Sequence, residues 1–120
     1  MRADVIDTHR GGMWPWLGQR LTAVVVIVTI IVHLVLTHWV SIGELSFDDI
    51  ENRLGNLAVL INDVLLLLAV VFHGLNGLRM VVLDYGLRSA GSRRAFDTVL
   101  WLVGIAVTIY GIWALWVWVG

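Results

Sequence analysis

The sequence predicts an all-α fold, an integral membrane bundle of three transmembrane helices. Hydrophobic residues make up 59% of the 120 residues, and the mean hydropathy is +0.88. A soluble domain this small could not bury so much apolar surface in its own core. Three apolar runs, residues 17–40, 57–83 and 96–119, each reach the roughly 20 residues that cross a hydrocarbon layer. We therefore expect one membrane-anchor domain that spans the chain.

The segments between these runs limit what the chain can do. A short N-terminal arm, a loop at residues 41–56 and a loop at 84–95 leave no room for a soluble catalytic domain. The sequence has no cysteine, which excludes disulfides, thiolate metal sites and thiol nucleophiles. We expect no catalytic residue on this chain alone, a lipid bilayer around it, and no nucleic-acid partner.

The arginines indicate how the chain lies in the membrane. The arm and the start of the first run carry three, and the loop at 84–95 carries three more. The loop at 41–56 combines one arginine with four acids. By the positive-inside rule, the N-terminus and the second loop are cytoplasmic, and the first loop and the C-terminus face outward. The predicted location is a prokaryotic plasma membrane, crossed three times.

The first helix carries one strong polar feature, His33. Thr22, Thr29 and Thr37 share its face, and we expect their hydroxyls to bond carbonyls of their own helix. At about 1.5 Å of rise per residue, His33 lies roughly 20 Å outward from Arg20. We therefore expect it near the outer surface.

Two shorter motifs predict local structure. Ser46 and Asp49 form an S-x-x-D capping box, which predicts a short amphipathic helix on the outer surface. In the third helix, Gly104, Thr108 and Gly111 share one face. Small residues in such a stripe predict close packing, toward the helix's own bundle or toward a neighbouring subunit.

The second helix has the densest set of polar groups at membrane depth. At about 100° per residue, five residues fall in one narrow sector, with Asn76 close by: Asn62, His73, Gly77, Met80 and Asp84. Ionisable groups inside a bilayer are rare and costly. This face must therefore look at a cavity, a cofactor or another polar helix.

His73 lies near the middle of this span, and two interpretations stay open for it. It could bond a neighbouring helix in a structural role. Alternatively, it could be an axial ligand of a haem iron, for which imidazole is a standard ligand. Gly74 and Gly77 favour the haem, because glycines beside a histidine leave the flat space that a porphyrin needs.

Arg79, Asp84 and Tyr85 follow at the predicted cytoplasmic end of the second helix. They could be interfacial residues, with the arginine snorkelling and the tyrosine in the aromatic belt. Alternatively, they could form a quinone pocket, in which Tyr85 donates a hydrogen bond to a quinone carbonyl and charged neighbours relay protons. Position alone does not decide between the two.

The run from His73 to Gly86 resembles a signature of the membrane-anchor subunits of succinate dehydrogenase. In that signature a second-helix histidine is followed eleven and twelve residues later by Asp-Tyr, the spacing of Asp84 and Tyr85 here. Two weaker matches point to the smaller, D-type anchor: Arg20-Leu21-Thr22-Ala23 in the first helix and Gly43-Glu44-Leu45-Ser46-Phe47 in the first loop.

The resemblance implies an anchor that docks two soluble subunits, a flavoprotein with FAD and an iron–sulfur protein, and helps to pass electrons from succinate to ubiquinone or menaquinone. It implies that His73 is an axial ligand of a haem b iron, with the second ligand from a second membrane-anchor (cytochrome b) subunit. It also implies that Arg20 faces a haem propionate, and that Tyr85, Asp84 and Arg79 belong to the quinone site.

One departure concerns His33, which the one-haem D-type anchor lacks. Relatives with two haems use histidines of the first and second helices for an outer and an inner haem, which suits the depth of His33. One haem is the first expectation, and two haems, with His33 as the outer ligand, is the alternative. For function, the alternatives are a fumarate reductase anchor, a cytochrome b subunit of another respiratory complex, and a non-redox scaffold or transporter.

Overall fold

The structure is a computed structural model that describes residues 12–39, 48, 56–86 and 89–119. Three helices account for nearly all of them: α1 (Met13–Leu34), α2 (Leu57–Tyr85) and α3 (Ala90–Val119). A π-helical segment, Val35–Trp39, continues α1. No strand occurs in these ranges, so the all-α prediction is confirmed.

The local sequence explains where the helices begin. Gly12 precedes α1 with a φ of 82°, a left-handed conformation that glycine adopts without steric cost. Asn56 caps α2 by accepting a hydrogen bond from the Ala58 N–H at 3.0 Å. Ser89 caps α3 by accepting one from the Ser92 N–H at 3.1 Å. This polar cap explains why α3 begins before the apolar run does.

All three helices are long and apolar enough to cross a membrane, with spans of 25, 29 and 28 residues. The chain shields few of its own side chains. Among the described residues, only Ala69, Leu83, Leu100 and Thr29 are buried. Most of the apolar surface must therefore be covered by lipid or by other proteins.

α1 and α2 pack closely where Gly18 of α1 meets Phe72 of α2. A Cβ added at Gly18 would lie 2.8 Å from the phenyl Cζ, so only glycine leaves room for the ring. The α1 threonines bond their own helix, as predicted: Thr22 donates to Gly18 O at 2.7 Å, Thr29 to Val25 O at 2.7 Å and Thr37 to His33 O at 2.6 Å. Their hydroxyl hydrogens are therefore engaged within α1.

α3 packs on the other side of α2 through its small residues. A Cβ added at Gly104 would lie 2.8 Å from Leu75 Cδ1, and one at Gly111 would lie 2.6 Å from a methyl group of Leu67. The predicted small-residue face of α3 is thus confirmed at both glycines. It points to the chain's own bundle and makes α2 the central helix.

The amphipathic helix predicted at Ser46 and Asp49 lies outside the described residues, which include only Asp48 and Asn56 of the loop at 41–56. The sides of the membrane on which the two ends of the bundle lie stay a prediction from the arginine distribution.

Candidate functional site

His73 lies against α1, where two acceptors surround one of its ring nitrogens. Nδ1 is 3.3 Å from the backbone oxygen of Gln19 and 3.3 Å from Thr22 Oγ1. A carbonyl oxygen can only accept, and the Thr22 hydroxyl already donates to Gly18 O at 2.7 Å. These acceptors favour the tautomer that carries the hydrogen on Nδ1, in which the lone pair lies on Nε2.

The free nitrogen of His73 fits a haem ligand. Nε2 makes no hydrogen bond to any residue that the structure describes, and the side chain is only half-buried. A Cβ added at the neighbouring Gly74 would meet nothing within 4 Å, so the helix surface at Gly74 is open. Metal-binding histidines hold their second nitrogen in this way, with its N–H donated to a carbonyl or another acceptor.

Gly77 does not provide the open space that the sequence suggested for it. A Cβ there would lie 2.9 Å from Gln19 Nε2, so the glycine makes room for a side chain of α1 instead of a porphyrin. Gln19 donates from Nε2 to the backbone oxygen of His73 at 3.2 Å. Asn76 Nδ2 donates to Gln19 Oε1 at 2.9 Å and to Pro15 O at 3.0 Å.

Gln19 is thus a site residue that the sequence analysis missed. It bonds both the backbone and the ring of His73, and it fixes α1 against α2 at this level. The available signal was its position three residues before Thr22, on the same helical face. At this level the polar sector of α2 contacts another polar helix, which was one of the three predicted alternatives.

Arg20 lies at nearly the same level but on a different side of α1. It is exposed, and its guanidinium carbon is 4.5 Å from the centre of the Trp16 ring. At about 100° per residue, Arg20 points roughly 100° away from Gln19 and 160° away from Thr22. Within this chain the structure does not bring Arg20 and His73 together.

Arg79 forms an ion pair with α3. Its Nε donates to Asp97 Oδ1 at 2.6 Å and its Nη2 to Asp97 Oδ2 at 3.3 Å. The two side chains are 28% and 34% exposed, so water reaches the pair in part. Asp97 is the acid within the third apolar run. An acid at that position indicates a basic partner, but the sequence analysis did not predict the pair with Arg79.

Asp84 and Tyr85 lie at the end of α2, and both side chains are exposed. Tyr85 is 88% exposed. Eleven residues separate Asp84 from His73, which is about 16 Å along the helix. Among the residues that the structure describes, none covers the acid–phenol pair.

His33 is also paired, with an acid that the sequence analysis missed. Its Nδ1 is 2.9 Å from Asp63 Oδ1, and Asp63 is 10% exposed although it lies inside a membrane span. The contact between Thr22 and His73 sets the register of α1 and α2. His33 lies eleven residues after Thr22, which is about 16 Å along α1. The two histidines therefore occupy different depths of one interface, as their separate spacings suggested.

The fold and these contacts define a multi-pass membrane protein whose polar groups meet between its own helices. A model of the family described as Succinate dehydrogenase/Fumarate reductase transmembrane subunit matches residues 5–112. The chain belongs to this family.

Curated relatives agree with the family. The chain is 32% identical over 97 residues to a succinate dehydrogenase hydrophobic membrane anchor subunit of Archaeoglobus fulgidus, covering 79% of this chain and 83% of the relative. It is 29% identical over 97 residues to the subunit of that name from Halobacterium salinarum, with 80% and 75% covered. A third relative, the succinate dehydrogenase 2 membrane subunit SdhC of Mycobacterium tuberculosis, is 24% identical over 98 residues, with 80% and 70% covered.

No solved structure matches the chain. Family and fold together make it a multi-pass protein of a prokaryotic plasma membrane.

Proposed function

We propose that this chain is a membrane-anchor subunit of a succinate:quinone oxidoreductase, which docks the flavoprotein and iron–sulfur subunits and shares in binding haem b and quinone. The observation that carries the proposal is the pair of acceptors at His73 Nδ1, which leaves Nε2 available inside a membrane span.

In this proposal His73 gives one axial ligand of haem b, and the second membrane-anchor subunit gives the other. Gln19 and Thr22 hold the proton on Nδ1, so the ring keeps the tautomer that binds iron through Nε2. A bound haem accepts and releases one electron at a time. Arg20 stays the candidate for a propionate, because its exposed guanidinium is open to a carboxylate from outside this chain.

The quinone site is proposed at the end of α2. Tyr85 donates a hydrogen bond to a quinone carbonyl, and Asp84 beside it delivers a proton to the reduced oxygen. Reduction of quinone to quinol takes two electrons, which come from succinate, and two protons. Arg79 contributes through its pair with Asp97, which holds α2 against α3 close to this end.

Docking of the soluble subunits is proposed on the arginine-rich side. The loop between α2 and α3 and the start of α3 carry these charges, and the Arg94 side chain is exposed. The names of the relatives fit such a role, since two of them are called membrane anchor subunits.

An anchor of a fumarate reductase is the second candidate, because the family description covers both enzymes. The two reactions are the reverse of each other, and their direction depends on the quinone and on the soluble subunits. Nothing in the described helices favours one direction.

The proposal is tested by purification of the complex through a tag on this chain. Flavin-containing and iron–sulfur proteins should co-purify, the complex should reduce quinone with succinate, and a reduced-minus-oxidised spectrum should show a b-type band. Purification of the chain without either soluble protein, or a complex without a b-type band, would overturn the proposal.

A further inference from the structure

Asp63 has the least exposed side chain of the acids in the described spans, and no part of the haem or quinone proposal uses it. Its side chain is 10% exposed and accepts at Oδ1 from two groups, His33 Nδ1 at 2.9 Å and Asn62 Nδ2 at 3.4 Å. An acid inside a bilayer is costly unless it is paired. Asn62 is itself fixed, because its Nδ2 also donates to Thr29 O at 3.2 Å.

The arrangement at His33 repeats the one at His73. In both rings Nδ1 faces an acceptor from the opposite helix, and Nε2 has no partner among the described residues. His33 lies only about 20° around α1 from Thr22, so both rings belong to the same interface of α1 and α2. The His33 side chain is 36% exposed, which leaves its ring open to a group held by a second subunit.

The acceptor at His33 differs in one respect that matters for a metal. At His73 the acceptors are a carbonyl and a hydroxyl, whereas at His33 the acceptor is a carboxylate. A carboxylate that accepts the Nδ1–H of a histidine fixes its tautomer and makes Nε2 a more basic ligand. The backbone of His33 is held as well, because Thr37 donates to its carbonyl oxygen at 2.6 Å.

We propose that Asp63 is a positioning residue for His33, which it holds as an axial ligand of a second haem, one level away from His73. This inference rests on the proposed function. Asp63 touches no haem itself; it acts through the imidazole.

The test uses the purified complex and compares six substitutions in this chain: His33→Ala, His73→Ala, Asp63→Leu, Asp63→Asn, Asp63→Glu and, as the control at an exposed position of the same helix, Leu65→Ala. Two measurements are made: haem per complex by pyridine haemochrome, and the midpoint potential of each b-type component by redox titration. Neither measurement depends on turnover.

The expected wild-type complex holds two haems. His33→Ala should remove one. Asp63→Leu should weaken the binding of that same haem, because loss of such a partner typically lowers affinity about 10- to 100-fold, so haem per complex should fall during purification. Asp63→Asn should keep the haem and raise its potential, because a neutral acceptor makes a less basic ligand that stabilises ferric iron less. Asp63→Glu should retain more of this haem than Asp63→Leu, and Leu65→Ala should leave the haem content unchanged.

Two results would overturn the inference. If the wild-type complex holds one haem, which His73→Ala loses and His33→Ala keeps, the inference of a second haem is wrong and the proposed function stands. If the complex holds two haems and Asp63→Asn changes neither the haem content nor the midpoint potentials, Asp63 does not position His33. This variant tests the role of Asp63 even if Asp63→Leu fails to assemble. A complex without any b-type band contradicts the proposed function itself.

Discussion

Thr22 of α1 and His73 of α2 meet across the helix interface, with Thr22 Oγ1 3.3 Å from His73 Nδ1. Because the hydroxyl hydrogen of Thr22 goes to Gly18 O at 2.7 Å, the threonine is the acceptor in its contact with the ring. A hydroxyl that merely stabilised α1 would not need to face a ring nitrogen. The contact therefore links the helix that carries the proposed haem ligand to the helix that sets its tautomer.

Replacement of Thr22 by valine tests this link. Valine has nearly the same shape and lacks the acceptor, while the Gln19 carbonyl stays in place. We expect weaker haem retention, up to about tenfold, at the low end of the range for loss of such a partner. The measurement is haem per complex during dilution or competition with apomyoglobin.

The matched control is Thr29→Val. Thr29 lies on the same face of α1 and donates to Val25 O at 2.7 Å, but its hydroxyl does not contact His73. Equal haem loss in both variants would mean that the effect comes from α1 stability instead of the imidazole.

Replacement of His73 by alanine should remove one haem from each complex. The physical reason is the loss of the Nε2 ligand, since no other described histidine lies at this level of the bundle. Haem is measured by pyridine haemochrome, and assembly by co-purification of the soluble subunits. Full haem content in an assembled complex would show that His73 is a structural residue.

Replacement of Tyr85 by phenylalanine should slow quinone reduction. One neutral hydrogen bond contributes roughly 0.5–1.5 kcal/mol, so we expect a two- to tenfold decrease in kcat/KM for quinone. Succinate oxidation by a soluble dye should stay unchanged, because it needs only the soluble subunits. Tyr110→Phe is the control, since Tyr110 of α3 is 68% exposed and lies far along the bundle from Tyr85. Equal rates in Tyr85→Phe and the wild type would remove the phenol from the quinone site.

Replacement of Gly104 by valine should destabilise the packing of α3 on α2. Even a Cβ at this position lies 2.8 Å from Leu75 Cδ1, and overpacking of this kind typically costs about 1–3 kcal/mol. Gly91→Ala is the control, because a Cβ there meets nothing within 4 Å. The measurement is the thermal inactivation midpoint in detergent, and equal midpoints for the two variants would argue against the close approach.

The sequence predicted the fold because lipid imposes a simple rule, that each span must be apolar along its whole length. It also predicted that the polar face of α2 meets a cavity, a cofactor or another polar helix, since neither Asn62 nor His73 could face lipid. It could not predict which residues of α1 lie opposite them. That register depends on how Phe72 fits against Gly18, a packing detail that periodicity within one helix does not contain.

The same reason explains the missed acid. Asp63 lies about 80° around α2 from His73, outside the narrow sector defined by the other polar residues. α1 covers a wider arc of α2 than that sector, so Asp63 still reaches His33. The surroundings of Asp84 and Tyr85 could not be predicted for another reason, since both side chains are exposed and no described residue of this chain covers them.

The pair between Arg79 and Asp97 can be tested by a double-mutant cycle. Because both side chains are partly exposed, we expect the pair to contribute roughly 1 kcal/mol or less. Arg79→Gln and Asp97→Asn should each lower the thermal midpoint of the complex, and the double variant should lose less than their sum. The exchanged pair, Arg79→Asp with Asp97→Arg, should recover part of the loss. If instead Arg79→Gln lowers quinone affinity while Asp97→Asn does not, the guanidinium acts on quinone directly and the ion pair is incidental.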